Sequence, residues 1–182
     1  MLNRRYLCSF DSRRILHRFT DVAVIGAGAA GLRAACEIAA RDSAAVTVIA
    51  KGPLQDANTS RAQGGVAAVL MPERTGDSTE LHIQDTLASG CGLADKPIAE
   101  ITIREGVDRV RELIDWGAEF DRKDGAIHFT QEGGHRKPRI AHARGDATGR
   151  EVLNVLARRV AAQPSIQEIG RASCRERVYH PV

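Results

Sequence analysis

Residues 21–41, DVAVIGAGAAGLRAACEIAAR, restrict the possible folds more than any other stretch of this chain. Val22, Val24 and Ile25 make a short apolar, β-branched run after the turn-forming Asp21, and an alanine-rich helical segment follows and ends near Arg41. Three glycines stand at the junction, each with its own task. Gly26 permits a tight turn, Gly28 lets the backbone approach a pyrophosphate, and Gly31 lets the helix pack closely on the strand. The helix N-terminus then offers free N–H groups and partial positive charge to that pyrophosphate. AVTVIAK, residues 45–51, reads as a second buried strand, with the DS before it as the turn. Strand, helix and strand within about thirty residues form a βαβ unit, and the right-handed crossover rule makes it the start of a parallel sheet. An α/β, Rossmann-like dinucleotide-binding fold follows.

The second strand departs from the usual pattern. Such strands normally end in Asp or Glu, which accepts hydrogen bonds from the adenosine ribose, whereas here the end is Ala50-Lys51-Gly52. A standard NAD dehydrogenase is therefore disfavoured. Lys51 is either a solvated turn residue or part of the adenosine side of a cofactor site.

Composition narrows the classes further. The 182 residues suffice for one domain, and no apolar run approaches the ~20 residues that cross a bilayer. The net charge of +3 is small and much of the positive charge sits at the two ends, so no nucleic-acid partner is indicated. Cys8, Cys36, Cys91 and Cys174 are widely spaced, without C-x-x-C, so neither a metal site nor a disulfide framework follows, and a reducing cytoplasm suits them. Residues 1–20 are Arg-rich with one acid, and are expected to be either a targeting segment or an extension that does not pack.

A second glycine turn, NTSRAQGGV, occupies residues 58–66. Beyond it, residues 81–87 and 98–116 carry apolar side chains at helical spacing, with Gly90, Gly92 and Pro97 between them, and Leu113 and Trp116 read as core. DRKDGAIHFT is hairpin-like and turns at Asp124-Gly125. DATGREVLNVLARRVAA is an amphipathic helix expected to be capped by Asp146 or Thr148, and PSIQEI reads as the strand after it.

Taken in order, DVAVIGAGAAGL, VIAKGP, NTSRAQGGVAAV, HIQDTLASGCGL, FTQEGGH and RIAHARGDATGREV resemble the L-aspartate oxidases, relatives of the flavoprotein subunits of succinate dehydrogenase and fumarate reductase. The resemblance covers residues 21–168 and implies an FAD-binding domain. It implies FAD contacts at Ala27, Gly28, Ala29 and Ala30, within the turn bounded by Gly26 and Gly31, and at Lys51. Further implied contacts are Asn58, Thr59, Ser60, Arg61, Ala62, Gln63, Gly64 and Gly65, which wrap the flavin end. Asn58 matches the histidine that bonds covalently to flavin in the dehydrogenase relatives, so non-covalent FAD is expected. Glu132 matches the glutamate that orients substrate, facing the amino group of L-aspartate. The implied reaction is oxidation of L-aspartate to iminoaspartate with oxygen or fumarate as acceptor. It would be the first step of NAD biosynthesis in the cytoplasm, delivering product to quinolinate synthase.

The residues themselves leave alternatives open. Glu132 is either a substrate contact or an ordinary exposed loop carboxylate, and His135 either faces the flavin or caps a turn. His128 and His142 read as structural or solvated, while Arg139, Arg144 and Arg150 either attract a dicarboxylate or lie on a solvated face. A succinate dehydrogenase or fumarate reductase flavoprotein, or a non-catalytic FAD-binding fragment, are the competing readings. The family's catalytic arginine and last FAD segment lie beyond what the motifs here reach, so the sheet is expected to be incomplete. After SIQEI the chain turns to GRASCRERVYHPV, which resembles a translated sequencing adapter, and residues 169–182 are expected not to come from the gene.

Overall fold

The computed structural model describes residues 18–41, 44–53 and 56–169; the expectations for the first seventeen residues, for the turn at 42–43 and for the tail after residue 169 lie outside them. The βαβ unit forms as the sequence predicts. Strand β1 (Val22–Ile25), helix α1 (Ala29–Arg41) and strand β2 (Val46–Ile49) follow one another, and β1 pairs parallel with β2, Val22 opposite Val46 and Ile25 opposite Ile49. The last strand, β8 (Ile166–Ile169), pairs parallel on the other side of β2, which gives the order β1-β2-β8.

Val24, Val46, Val48 and Ile166 share one face of this sheet, because side chains alternate along strands. Helix α1 covers that face together with α5 (Thr148–Ala161), burying Leu32, Ala35, Cys36, Leu153, Leu156 and Val160 in one core. Ala23 and Ile25 point the other way, and Ile25 stays 86% exposed. The outer edge of β1 has no strand partner among the described residues.

Everything between β2 and β8 is a long excursion from the sheet. It contains a 3-10 turn (Asn58–Arg61), β3 (Val66–Ala67), α2 (Pro72–Thr75), α3 (Thr79–Ser89) and α4 (Lys96–Asp115). Four two-residue strands then precede α5: β4 (Arg122–Lys123), β5 (Ala126–Ile127), β6 (Phe129–Thr130) and β7 (Ile140–Ala141). Ser78 caps α3 through its Oγ, which accepts from Leu81 N–H at 3.1 Å, and Asp95 caps α4 by accepting from Ile98 N–H at 3.0 Å. Pro97 lies inside the first turn of α4, where a missing N–H costs nothing, and not between the helices. The hairpin turns where expected, with Asp124 and Gly125 both at positive φ.

The expected cap of α5 is not used. Ala147 occupies the cap position, and the Thr148 hydroxyl turns back to accept from Ala143 N–H at 3.1 Å, tying the helix to the segment that leads into it. Neither Asp146 nor Thr148 caps the helix. Leu113 and Trp116 pack against both hydrophobic clusters, the one under the parallel sheet and a second around Val110, Phe120 and Ala141. The guanidiniums of Arg33 and Arg159 lie 5.6 and 5.3 Å from the Trp116 ring, and Arg33 also forks onto Glu112, joining α1 to α4.

Candidate functional site

A cleft of about 610 Å³ opens at the C-terminal ends of β1 and β2, where ligands bind in open α/β sheets. Three segments line it: the turn Gly26-Ala27-Gly28, the chain after β2 from Ala50 to Pro53, and Asp56 with the 3-10 turn. Gly26 has φ +106°, a conformation that strains any residue with a side chain, and its N–H donates to Ile49 O at 2.8 Å. A Cβ on Gly31 would come within 1.9 Å of Gly26 O, so helix and strand touch backbone to backbone. The first turn of α1 carries no acidic residue, which leaves its positive end free for an anion.

The two glycine turns meet directly. Ala29 N–H donates to Thr59 Oγ1 at 3.0 Å, and Gly28 has no side chain to separate them. Behind the 3-10 turn stands the first turn of α5: Gly149 N–H donates to Ala62 O at 3.0 Å, and a Cβ on Gly149 would fall 1.9 Å from Thr59 O. Gly149 therefore sets the position of residues 58–62 and is a site residue the sequence reading missed. A glycine in a helix's first turn was the available signal, since it weakens the helix unless something needs the space.

Of the residues expected to contact a cofactor, Gly26, Ala27, Gly28, Lys51, Asn58, Thr59 and Arg61 line this one cleft. The Ala27 side chain is itself part of the core, so Ala27 offers only backbone. Lys51 is exposed at the rim. Ala29, Ala30, Gly31, Ser60, Ala62, Gln63, Gly64 and Gly65 are not among the cleft's lining residues. Gly64 has open space where a side chain would be, but a Cβ on Gly65 would meet Ile140 Cγ2 at 2.3 Å and His142 Cε1 at 3.0 Å. Gly65 serves the packing of its own chain.

That packing builds the second part of the site. Strands β3 and β6 flank β7 in a small antiparallel sheet, with Val66 and Phe129 both opposite Ala141 and Thr130 opposite Ile140. The sheet brings Gly65, His142 and the QEGGH loop side by side. Glu132 Oε1 lies 2.7 Å from His142 Nε2, which is also 3.1 Å from Thr130 Oγ1. His142, read from sequence as structural or solvated, thus meets the candidate substrate residue.

His135 is turned to other partners. Its N–H donates to Glu132 O at 3.1 Å and closes a turn, while its Nδ1 lies 3.2 Å from Arg139 Nη1 and its ring 5.6 Å from that of His82. Arg139 is neither on a solvated face nor in the cleft; it is fully buried. Its guanidinium forks onto Asp77 at 2.6 and 2.7 Å and reaches Asp85 at 2.8 Å. Burial opposes that charge, but the bonds to Asp77 and then Asp85 outweigh it and hold the guanidinium above its ordinary value. Asp85 is pushed the opposite way: burial disfavours its charge, yet the bonds from Arg136 N–H, the Arg136 side chain and Arg139 bring it to about 2. Asp85 thereby anchors the loop, since it accepts from Arg136 N–H at 3.1 Å and pairs with the Arg136 guanidinium. Buried beside this cluster, His82 falls to about 4, through loss of water and then the charges of Arg139 and His135. Arg144 and Arg150 are exposed, and Arg144 faces Glu119 at 3.6 Å and Glu151 at 4.0 Å.

The FAD binding domain family model matches residues 21–173. The chain belongs to that family. FAD is its cofactor, and the residues present fit it: an acid-free helix N-terminus behind a glycine turn faces an open cleft that a second glycine turn adjoins. The chain is 46% identical over 150 residues to "L-aspartate oxidase 2-a, chloroplastic" of Nicotiana tabacum, covering 82% of this chain and 22% of that protein. It is 48% identical over 146 residues to "L-aspartate oxidase" of Streptomyces coelicolor, covering 79% and 24%. Among solved structures it is similar to the Mycobacterium smegmatis Sdh1 complex, at TM-score 0.78 and 38% identity, covering 85% of this chain and 28% of that one. It is similar also to an E. coli quinol fumarate reductase variant, at TM-score 0.77 and 31% identity, covering 84% and 26%. The chain spans about a quarter of the length of the relatives it matches. No helix among the described residues is long and apolar enough to cross a membrane.

Proposed function

We propose that residues 21–168 are the N-terminal part of the FAD-binding domain of an L-aspartate oxidase, which converts L-aspartate to iminoaspartate. The observation that carries this is the contact of the Glu132 carboxylate with His142, a side chain that in turn packs on Gly65 of the second glycine turn. The identity to L-aspartate oxidases supports it.

In this reading the Gly26–Gly28 turn and the N-terminus of α1 bind the pyrophosphate, Lys51 lines the adenosine side, and residues 58–65 wrap the flavin end. Bound FAD supplies the acceptor for the hydride leaving Cα of aspartate, and the amine nitrogen loses a proton as the imine forms. Glu132 faces that amine, a group that succinate lacks, and so orients aspartate over the flavin. Asn58 has no nucleophilic nitrogen, so the flavin is held without a covalent bond. Oxygen or fumarate would be the final acceptor of the two electrons. Iminoaspartate hydrolyses in water, which favours prompt use by quinolinate synthase in the same compartment, the cytoplasm.

The likeness to the succinate dehydrogenase and fumarate reductase structures favours a second reading, a dicarboxylate dehydrogenase flavoprotein. Asn58 and Glu132 argue for the first. A third possibility, a fragment that binds FAD without turnover, applies to the chain alone. The test is an anaerobic titration of the full-length protein, following the flavin absorbance. L-Aspartate bleaches it if the proposal holds. Bleaching by succinate and not by aspartate overturns it, and acid precipitation that fails to release FAD overturns the non-covalent attachment.

A further inference from the structure

His142 does more than fill space. Among the described residues, the Glu132 carboxylate meets His142, and His142 is held from three directions. Its Nδ1 lies 3.1 Å from Gly145 O, an atom that can only accept, so Nδ1 carries a hydrogen. Gly145 is fixed in turn, because its N–H and that of Arg144 both donate to the Asp121 carboxylate, at 3.0 and 2.8 Å. Asp121 N–H donates to His142 O at 2.8 Å and completes the brace. From below, the ring rests on Gly65, where a Cβ would approach Cε1 to 3.0 Å.

The 2.7 Å contact between Nε2 and Glu132 Oε1 is of hydrogen-bond length, and Thr130 Oγ1 lies 3.1 Å from the same nitrogen, on the side of β6 that leads into the loop. Glu132 itself is exposed, with 47% of its side chain open to water, whereas His142 is mostly covered at 20%. An exposed glutamate on a glycine loop would sample many positions, and the loss of that freedom has to come from its partner. His142 is the part of the sheet that reaches it.

We propose that His142 is the positioning residue for the substrate amine: packed on Gly65, it holds one oxygen of Glu132 and leaves the other for the amino group of the substrate. This rests on the L-aspartate oxidase reading above. Two motifs that are separate in sequence, the glycine turn at the flavin end and the QEGGH loop, are joined through this one ring.

The test uses the FAD-loaded full-length protein and the variants His142→Ala, His142→Gln, His142→Asn, Glu132→Gln and the double variant H142A/E132Q. His142→Ala lowers kcat/KM for L-aspartate by about 10-fold or more, the worth of one hydrogen bond to a charged group. Reoxidation of reduced flavin by fumarate, a dicarboxylate with no amine, falls by less than about 3-fold in the same variant. Glutamine, whose amide nitrogen reaches the place of Nε2, restores most of the aspartate rate, and the shorter asparagine does not. Adding His142→Ala to Glu132→Gln costs less than about 3-fold more, because the carboxylate that His142 orients toward the amine is already gone. Equal losses toward aspartate and fumarate, or effects of the two single variants that multiply, overturn the assignment. Should His142→Ala lose its FAD, the contrast of glutamine with asparagine decides in its place. A wild-type protein that aspartate does not reduce overturns the function and this role together; a reducible wild type with a His142→Ala variant equal to it overturns this role alone.

Discussion

The turn at residues 26–28 and the loop at residues 132–136 both put glycine beside a candidate functional group, yet different parts of the chain hold them. The first is held by backbone of its own βαβ unit: Gly26 N–H reaches Ile49 O at the end of β2, and Gly31 packs on Gly26. The second is held by charges from a distant segment, Asp77 just before α3 and Asp85 within it, which reach Arg139 and Arg136 across 51 to 62 residues. The glycine turn is therefore sensitive to added volume, and the candidate substrate loop to charge balance and pH.

The largest effect should come from breaking the charge balance. Arg139→Met leaves Asp77 and Asp85 buried without their partner and should cost about 3–5 kcal/mol in denaturant unfolding of the FAD-loaded protein. A loss near that of a surface substitution would mean that the cluster is open to water. Next comes acid. His82 is neutral in the fold and falls from 6.5 to about 4, so its contribution is fully present above pH 6.5 and is lost as pH falls through 4, about 3 kcal/mol in all. Asp85 adds a further loss as pH drops from 3.8 toward 2. Unfolding midpoints across pH 7 to 4 should decline in the wild type, and the part of that slope due to His82 should vanish in His82→Leu.

Smaller effects separate the glycines of the other half. Gly31→Ala drives a Cβ into Gly26 O and should cost about 1–3 kcal/mol together with FAD affinity. Gly64→Ala meets open space and should change stability by less than about 0.5 kcal/mol, while still weakening FAD binding if the flavin end occupies that space. Fluorescence titration of FAD against both variants would show it. Equal losses of stability at the two positions would remove the distinction.

The same division governs what the sequence alone could tell. The β1-α1-β2 unit was legible because its determinants are local: β-branched runs, a helical alanine stretch and three glycines whose spacing has a mechanical meaning. Helix α5 was legible by its period, but its cap was not, since Thr148 prefers the amide of Ala143 on an incoming segment whose course the helix pattern does not record. The sheet β3-β7-β6 has strands of two residues, too short for any alternation to show. Arg139 looked like a surface charge because the aspartates that let it be buried are more than fifty residues away. His142 was passed over for the same reason: its importance lies in Gly65 and Glu132, which only the sheet brings to it.

The most direct measurement is a crystal structure of the full-length protein with FAD and an unreactive amino-dicarboxylate bound. The expected result has the pyrophosphate at Gly26–Gly28, the flavin ring beside Gly64, and Glu132 within hydrogen-bonding distance of the ligand amine while His142 still holds its other oxygen. A Glu132 turned to solvent, with the ligand amine facing some other group, would contradict it.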